Sequence, residues 1–310
     1  KEEYRSIFDH MIQKQTNHLL NEIKNSNEVE NKMIGCAAII LTGLAYKNKK
    51  VYLENGLNLL KNIIKLSIDN QGFPKSRNIK QLVFYLKYLI IIREWFKESQ
   101  NVIPEYIDET IYYLGSSYAF IYQNINNDIF FNGNYLSDNQ EFNQYLKRFG
   151  YAFKNEVKEL AGYAILKNKK TILAMDIGSS PNKNFSKDYQ AGALSFEVIS
   201  NQKKLITNSG YFSDKKNKLN KLSKSTALHS TLIIEDFSSC NYKKKSSYYI
   251  VDKGIKISKK NIVFENNYWK VSASHDGYLK KFGAIHEREI EFYPEQMKFI
   301  GFDKILRKDP

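Results

Sequence analysis

Cysteine is nearly absent from this chain. Its 310 residues include two, Cys36 and Cys240, one in an apolar helical run and one beyond an expected strand, so no disulfide framework is expected. Histidine is also scarce, at five residues. His229, His275 and Asp236 stand too far apart to form a metal-ligand spacing, so neither a metal nor a cofactor is expected. Long apolar runs are missing as well. The longest uncharged one, residues 33–46, is too short to span a bilayer and reads as a buried helix, so no transmembrane segment is expected. The chain opens on Lys1 with no charged and then apolar leader, and a signal peptide, if there is one, lies outside this sequence. Oligomeric state does not follow from composition.

Charge of one sign is abundant. A net charge of +14 with a pI near 9.4 predicts attraction to polyanions, among them nucleic acid, anionic lipid and acidic glycans. Much of the excess is lysine in an Asn-rich context, as at residues 243–245 and 259–260, which reads as solvated surface. No nucleic-acid-binding signature accompanies it, so no specific nucleic-acid partner is expected. The hydrophobic share of 42% and aromatic share of 14% fit a globular chain, and its length suits two domains.

The apolar spacing changes along the chain. From Tyr4 to about Tyr122 it is helical: Tyr4, Phe8, Met11, Gln15 and Leu19 form one stripe, and Leu53, Leu57, Leu60 and Ile64 another. Leu82, Leu86 and Leu89 continue the pattern, as do Ile107, Ile111, Leu114, Tyr118 and Ile121. Residues 33–46 are apolar nearly all round and read as central. Five helices are expected, joined through 25–27, 47–49, 69–78 and 100–104 as antiparallel hairpins. After Asn124, Asn, Asp and Gly punctuate the chain as far as residue 144, and alternation then takes over. Strands are expected at 163–166 and 171–176, flanking a turn at 168–170, and around Leu194, Phe196 and Val198. Others are expected at 232–235, 248–252, 262–265, 269–273 and 288–292. This is the spacing of an antiparallel sandwich. The expected domains are a helical one over 1–124, a connecting segment over 125–160 and a β-sandwich over 161–310.

Four stretches of the second half occur in a telling order: Asp176-Ile177-Gly178, then Ala191-Gly192-Ala193-Leu194-Ser195-Phe196-Glu197, then Ser225-Thr226-Ala227-Leu228-His229-Ser230-Thr231-Leu232. Last comes His275-Asp276-Gly277-Tyr278, with Phe282-Gly283 and His286 behind it. In the first half, Ser76-Arg77-Asn78 sits where a loop leads into a helix, and Phe131-Asn132-Gly133 precedes the sandwich. In order and spacing the chain resembles heparinase II/III-like proteins, apparently as a fragment of one. The resemblance implies a partial α/α toroid followed by an antiparallel β-sandwich. It also implies an acidic polysaccharide as partner and a periplasmic or cell-envelope location.

Lyases of that kind cleave uronic-acid polysaccharides by β-elimination. The proton α to the carboxylate is scarcely acidic, so a donor must first neutralise the carboxylate and a base must stand within reach of the carbon. The resemblance implies His229, Asn78 and Gln190 as catalytic residues and Arg77, Asn132 and Tyr85 as substrate contacts. A neutral imidazole suits His229 as base or carboxylate partner, and Arg77 has the fork geometry for a carboxylate. Read without the resemblance, His229 is a structural histidine at a strand start, Asn78 a helix cap, and Arg77 a surface charge. Tyr85 lies in an apolar run that favours a core role. Two departures from the family pattern matter. Lys80 and Gln81 stand where many members have Tyr and His, and Gln190 stands where a His is common, although Gln takes no proton at neutral pH. They motivate a second expectation, a glycan-binding or cell-envelope protein of the same fold without catalysis.

Overall fold

Five helices form in the region of helical spacing: α1 (Glu2–Glu22), α2 (Val29–Ala45), α3 (Lys50–Ser67), α4 (Ile79–Glu98) and α5 (Glu105–Tyr122). The computed structural model describes residues 2–307 apart from 27, 47–49, 124, 126, 137–138 and 247. Three sequence readings fall on the remainder: Asn27 within the first helix connection, the 47–49 connection, and Asn124 at the helical boundary all lie outside the described residues. The chain divides into two compact units, residues 1–73 with 81–115, and residues 74–80 with 116–310.

In the first unit α2 and α3 pack along each other. Gly56 allows the approach, since a side chain there would meet Ile40 of α2, and the Cys36 thiol donates to the Gly56 carbonyl at 3.1 Å. Leu82, Leu86 and Leu89 are fully buried, as their spacing predicts, each contributing about 1.5–3 kcal/mol of apolar burial. The expected packing of α1 needs correction. Tyr4, Phe8 and Met11 are all more than half exposed, and α1 turns Thr16 inward instead. It is tied by hydrogen bonds from Tyr46 to Asp9 and from Tyr52 to Asn17, both 2.8 Å. A stripe shows that a helix is amphipathic; its partners decide which face they cover.

The second unit adds a helix the sequence did not suggest, α6 (Asn139–Arg148). Ten residues are too few for a stable isolated helix. Phe142 and Leu146 lie one turn apart and both are buried. Phe142 meets Tyr118 edge-on at 5.2 Å, and the Tyr118 hydroxyl donates to Asn143 at 2.7 Å.

All the strands pair antiparallel. One sheet holds β1 (Glu159–Leu160), β2 (Tyr163–Lys167), β3 (Thr171–Asp176), β4 (Phe196–Ser200) and β5 (Lys203–Ile206) in chain order. A hairpin of β6 (Asn241–Lys245) and β7 (Tyr248–Lys253) stands apart from it. The other large sheet runs β11-β10-β9-β8, from β8 (Ile257–Phe264), β9 (Trp269–His275), β10 (Ala284–Tyr293) and β11 (Lys298–Arg307). A four-residue helix, α8 (Leu279–Phe282), follows β9, and a five-residue one, α7 (Lys218–Leu222), precedes β6. The two large sheets share a core in which Leu166, Leu173, Met175 and Val198 of one meet Trp269, Val271, Ile290 and Phe292 of the other. The architecture is therefore the expected one, helical hairpins followed by an antiparallel β-sandwich.

The 168–170 turn closes as predicted: the Asn168 carboxamide accepts from the backbone N–H groups of Lys170 and Thr171 at 2.9 and 2.7 Å. The strand expected at 232–235 is a correction. Only an isolated bridge joins Ile234 to Phe237, and the Leu232 carbonyl accepts from the Tyr278 hydroxyl instead of a neighbouring strand. β5 and β6 escaped notice because they are lysine-rich and largely exposed, so backbone pairing forms them without apolar alternation.

Candidate functional site

The site begins at the loop before α4. Arg77 has φ 59°, a left-handed conformation that is strained for a bulky side chain, and its side chain is nevertheless buried. All five guanidinium N–H groups are used. Nε donates to the Ala161 carbonyl at 2.8 Å. Nη1 donates to the carbonyls of Gly178 and Ser179, both at 3.1 Å. Nη2 donates to the Gly162 carbonyl at 3.0 Å and to Asp176 Oδ1 at 2.5 Å. The guanidinium also lies over the Tyr163 ring at 4.6 Å. Gly178 makes room for it, since a Cβ there would fall 2.2 Å from Arg77 Cζ. The expectation that Arg77 presents its fork to a substrate is corrected here. The β2–β3 region of the sandwich already holds that fork.

Asp176 organises the next layer. Its Oδ1 also accepts from the Gly178 N–H at 3.1 Å, and its Oδ2 accepts from the Asn132 carboxamide at 3.0 Å. Asn132 donates to the Tyr163 hydroxyl at 2.8 Å and accepts from the Gln190 N–H at 3.2 Å. The Tyr163 hydroxyl in turn donates to the Arg77 carbonyl at 2.6 Å. Gln190 is buried, with Oε1 accepting from the Gly133 N–H at 3.1 Å and Nε2 donating to the carbonyls of Ser223 and Gly210 at 2.7 and 3.3 Å. The structure thus gathers Arg77, Asn132 and Gln190 around Asp176, mutually satisfied.

Asn78 caps α4: its Oδ1 accepts from the Lys80 N–H at 2.8 Å. Its Nδ2 donates to Asp188 Oδ2 at 3.3 Å. Gly133 packs directly against it, where a Cβ would fall 2.3 Å from Nδ2. Asp188 Oδ1 accepts from the Tyr211 hydroxyl at 2.8 Å, and Asn220 donates to that hydroxyl at 3.0 Å. Burial first, and then Asp188, push the Tyr211 pKa up, which keeps the phenol protonated. Nearby, Lys224 is almost fully buried and donates to the carbonyls of Lys187 and Tyr249. Burial pulls its pKa down to about 8. Sequence reasoning missed Asp188, Tyr211 and Lys224, which lie in Lys- and Asn-rich loops with no periodicity to mark them. Asp176 was visible as the head of a motif, without its role.

His229 ends a short turn at residues 226–228 that is stapled to the segment before β4. Thr226 Oγ1 donates to the Ala191 carbonyl at 2.7 Å, and Thr231 Oγ1 donates to the Ala193 carbonyl at 2.8 Å. Two stretches far apart in sequence are thereby laid side by side. The imidazole rests on Gly192, where a Cβ would come within 2.7 Å of its Cδ2. It is 8% exposed. Its Nδ1 is 2.8 Å from the Ser225 carbonyl, a contact that requires the proton on Nδ1 and leaves Nε2 with a free lone pair. That Nε2 is buried and has no hydrogen-bond partner. Burial holds the imidazole pKa below its ordinary value, against the Ser225 carbonyl and the Asp176 charge, so the ring is neutral. The Ser225 carbonyl is thus the partner that fixes one ring nitrogen.

Other readings resolve separately. Tyr85 is buried in the first unit. Lys80 lies 3.8 Å from Asp128 and over the Tyr135 ring at 4.8 Å, while Gln81 donates to Glu30 at 2.6 Å. His275 and His286 are buried and bonded to each other. No helix among the described residues is long and apolar enough to cross a membrane.

Fold and polar cluster together define the class, a helical-hairpin and β-sandwich protein whose loop arginine is locked into the sandwich. Residues 158–310, just under half of the chain, match the family described as heparinase II/III-like, C-terminal. No curated protein matches the sequence. Solved structures match over nearly all of it. Heparan sulfate lyase HepC from Pedobacter heparinus has 15% identity and a TM-score of 0.70, with 94% of this chain and 48% of that one covered. A heparinase III has 17% identity and a TM-score of 0.72, with coverage of 98% and 51%. The chain spans about half the length of these structures, and their likeness identifies its helices as a partial α/α toroid.

Proposed function

We propose that this chain is part of a polysaccharide lyase that cleaves an acidic, uronate-containing glycan by β-elimination, with His229 as the base. The carrying observation is the His229 ring: neutral, fixed in one tautomer by Ser225, with an unpartnered Nε2 lone pair. A base that removes a carbon-bound proton needs that state. Asn78, 3.3 Å from Asp188, is the amide proposed to meet the uronate carboxylate. Asn132 and Gln190 then act as positioning residues that hold the loops carrying these groups. The family match over residues 158–310 and the toroid-plus-sandwich fold support the reading. When the natural protein is given uronate polymers, an unsaturated product absorbing in the ultraviolet is expected. His229→Ala should lower its rate by roughly a hundredfold or more with folding nearly intact. An unchanged rate, or an unfolded variant, would identify His229 as structural.

A second reading is favoured by a specific observation. Arg77, Asn132 and Gln190 bond internally, and Gln190 stands in place of a proton-transfer group. A glycan-binding protein without catalysis predicts saccharide binding, no unsaturated product from any glycan, and no effect of His229→Ala on affinity.

A further inference from the structure

A cavity of about 500 Å³ opens beside α8 and the end of β7, lined among others by Phe237, Asn241, Lys253, Lys280, Lys281 and Phe282. None of Arg77, Asn78, Asn132, Gln190 or His229 lines it. Three lysines border it against one carboxylate, Asp276, whose Oδ1 already accepts from the Lys256 N–H at 2.7 Å. Lys253 and Lys280 both line this cavity, and the Lys280 charge makes the Lys253 proton harder to hold. Asp252 offsets Lys253 in part, but it also pairs with Lys183 at 3.4 Å. Two like charges on one cavity wall are satisfied by an oxyanion between them, which turns their repulsion into charge-assisted hydrogen bonds.

Beside the cations stands an aromatic wall. Phe237 is 43% exposed, meets Phe282 edge-on at 5.8 Å, and carries the Lys281 ammonium over its ring. An inorganic anion uses the lysines alone. A saccharide that carries the anion also gains the ring edge and the exposed Asn241 side chain, whereas Lys281 occupies a ring face on which a nucleobase needs to stack.

We propose that this cavity is a second glycan-contact site, which takes an oxyanion-bearing sugar with its sulfate or carboxylate between Lys253 and Lys280 and its ring against Phe237. The inference rests on the acidic-glycan reading for its ligand class, but not on catalysis.

Calorimetric titration of the natural protein with a sulfated disaccharide, an unsulfated uronate disaccharide, inorganic sulfate and a short single-stranded DNA tests it. At least one disaccharide should bind, and Lys253→Gln with Lys280→Gln should weaken that binding roughly tenfold or more. Phe237→Ala should weaken the disaccharide and leave inorganic sulfate unchanged. Lys243→Gln with Lys244→Gln, on the exposed strand β6, should change neither. The site is overturned if no disaccharide binds, if the paired changes at 253 and 280 have no more effect than those at 243 and 244, or if DNA binds more tightly than both sugars. Unsaturated product formed by a protein that shows no such site leaves the lyase reading standing. Binding here without any product removes that reading and leaves the site.

Discussion

Arg77 carries more of this structure than any other single residue described. Its left-handed backbone costs about 1–3 kcal/mol, and five hydrogen bonds, one of them to the Asp176 carboxylate, hold it there. Removing one partner of a buried pair leaves the other charge uncompensated, at a cost of about 3–5 kcal/mol. Arg77→Gln is therefore expected to lower the unfolding free energy by that amount in a urea titration. A loss below about 1 kcal/mol would mean that the guanidinium is not a structural tie. The identity of Arg77 as a site residue was legible from its motif. Its role was not, because the acceptors come from residues 161–162 and 176–179, about a hundred positions away, and no local pattern links them to it.

The turn after β3 shows how one element is fitted to another. Gly178 leaves the space that the Arg77 guanidinium fills, with a Cβ position 2.2 Å from Cζ. Gly178→Ala should drive the guanidinium off its acceptors and cost about 1–3 kcal/mol, the range for overpacking a filled site. Combined with Arg77→Gln, which removes the clash, the two losses should fall well short of additive in a double-mutant cycle. Additive losses would show that the glycine acts through its backbone alone. At this scale much was readable beforehand. The strand at 171–176 and the 168–170 turn form where alternation and turn chemistry place them, and the helical spacing locates all five helices before residue 124. The misses have a common cause. α6, β5 and β6 depend on contacts and backbone pairing that local spacing does not encode, and the stretch at 232–235 has its backbone groups taken elsewhere.

For the whole molecule, acid is the sharpest test. His275 is buried, its Nδ1 accepts from the Gly277 N–H at 3.0 Å and its Nε2 lies 3.2 Å from His286 Nδ1. His286 Nε2 reaches Asp303 at 2.5 Å, and Arg288 doubly clamps that carboxylate at 2.9 Å. The acceptor role of His275 Nδ1 sets the direction: His275 Nε2 donates to His286 Nδ1, and His286 Nε2 donates to Asp303. Burial first, then His286 and Arg288, pull the His275 pKa down from 6.5 to about 3. The unfolded chain then binds the extra proton more readily than the folded one. The contribution to stability is complete above about pH 6.5 and is lost as the pH falls toward 3, by up to about 1.4 kcal/mol per unit for one group. Denaturant midpoints measured from pH 7 to 4 should fall, and His275→Gln should flatten that slope. A slope unchanged by the substitution would place the acid sensitivity elsewhere. From the sequence, His275 and His286 were two isolated histidines near a glycine-containing turn, and His229 one residue of a motif. Sequence alone determined the element types, the two-part order, the antiparallel class and the family motifs, because periodicity and turn chemistry are local. Only the tertiary structure decided that Arg77 is sealed, that His229 keeps a bare nitrogen and that two histidines share a bond, because exposure, partner and protonation state are set by residues distant in the chain.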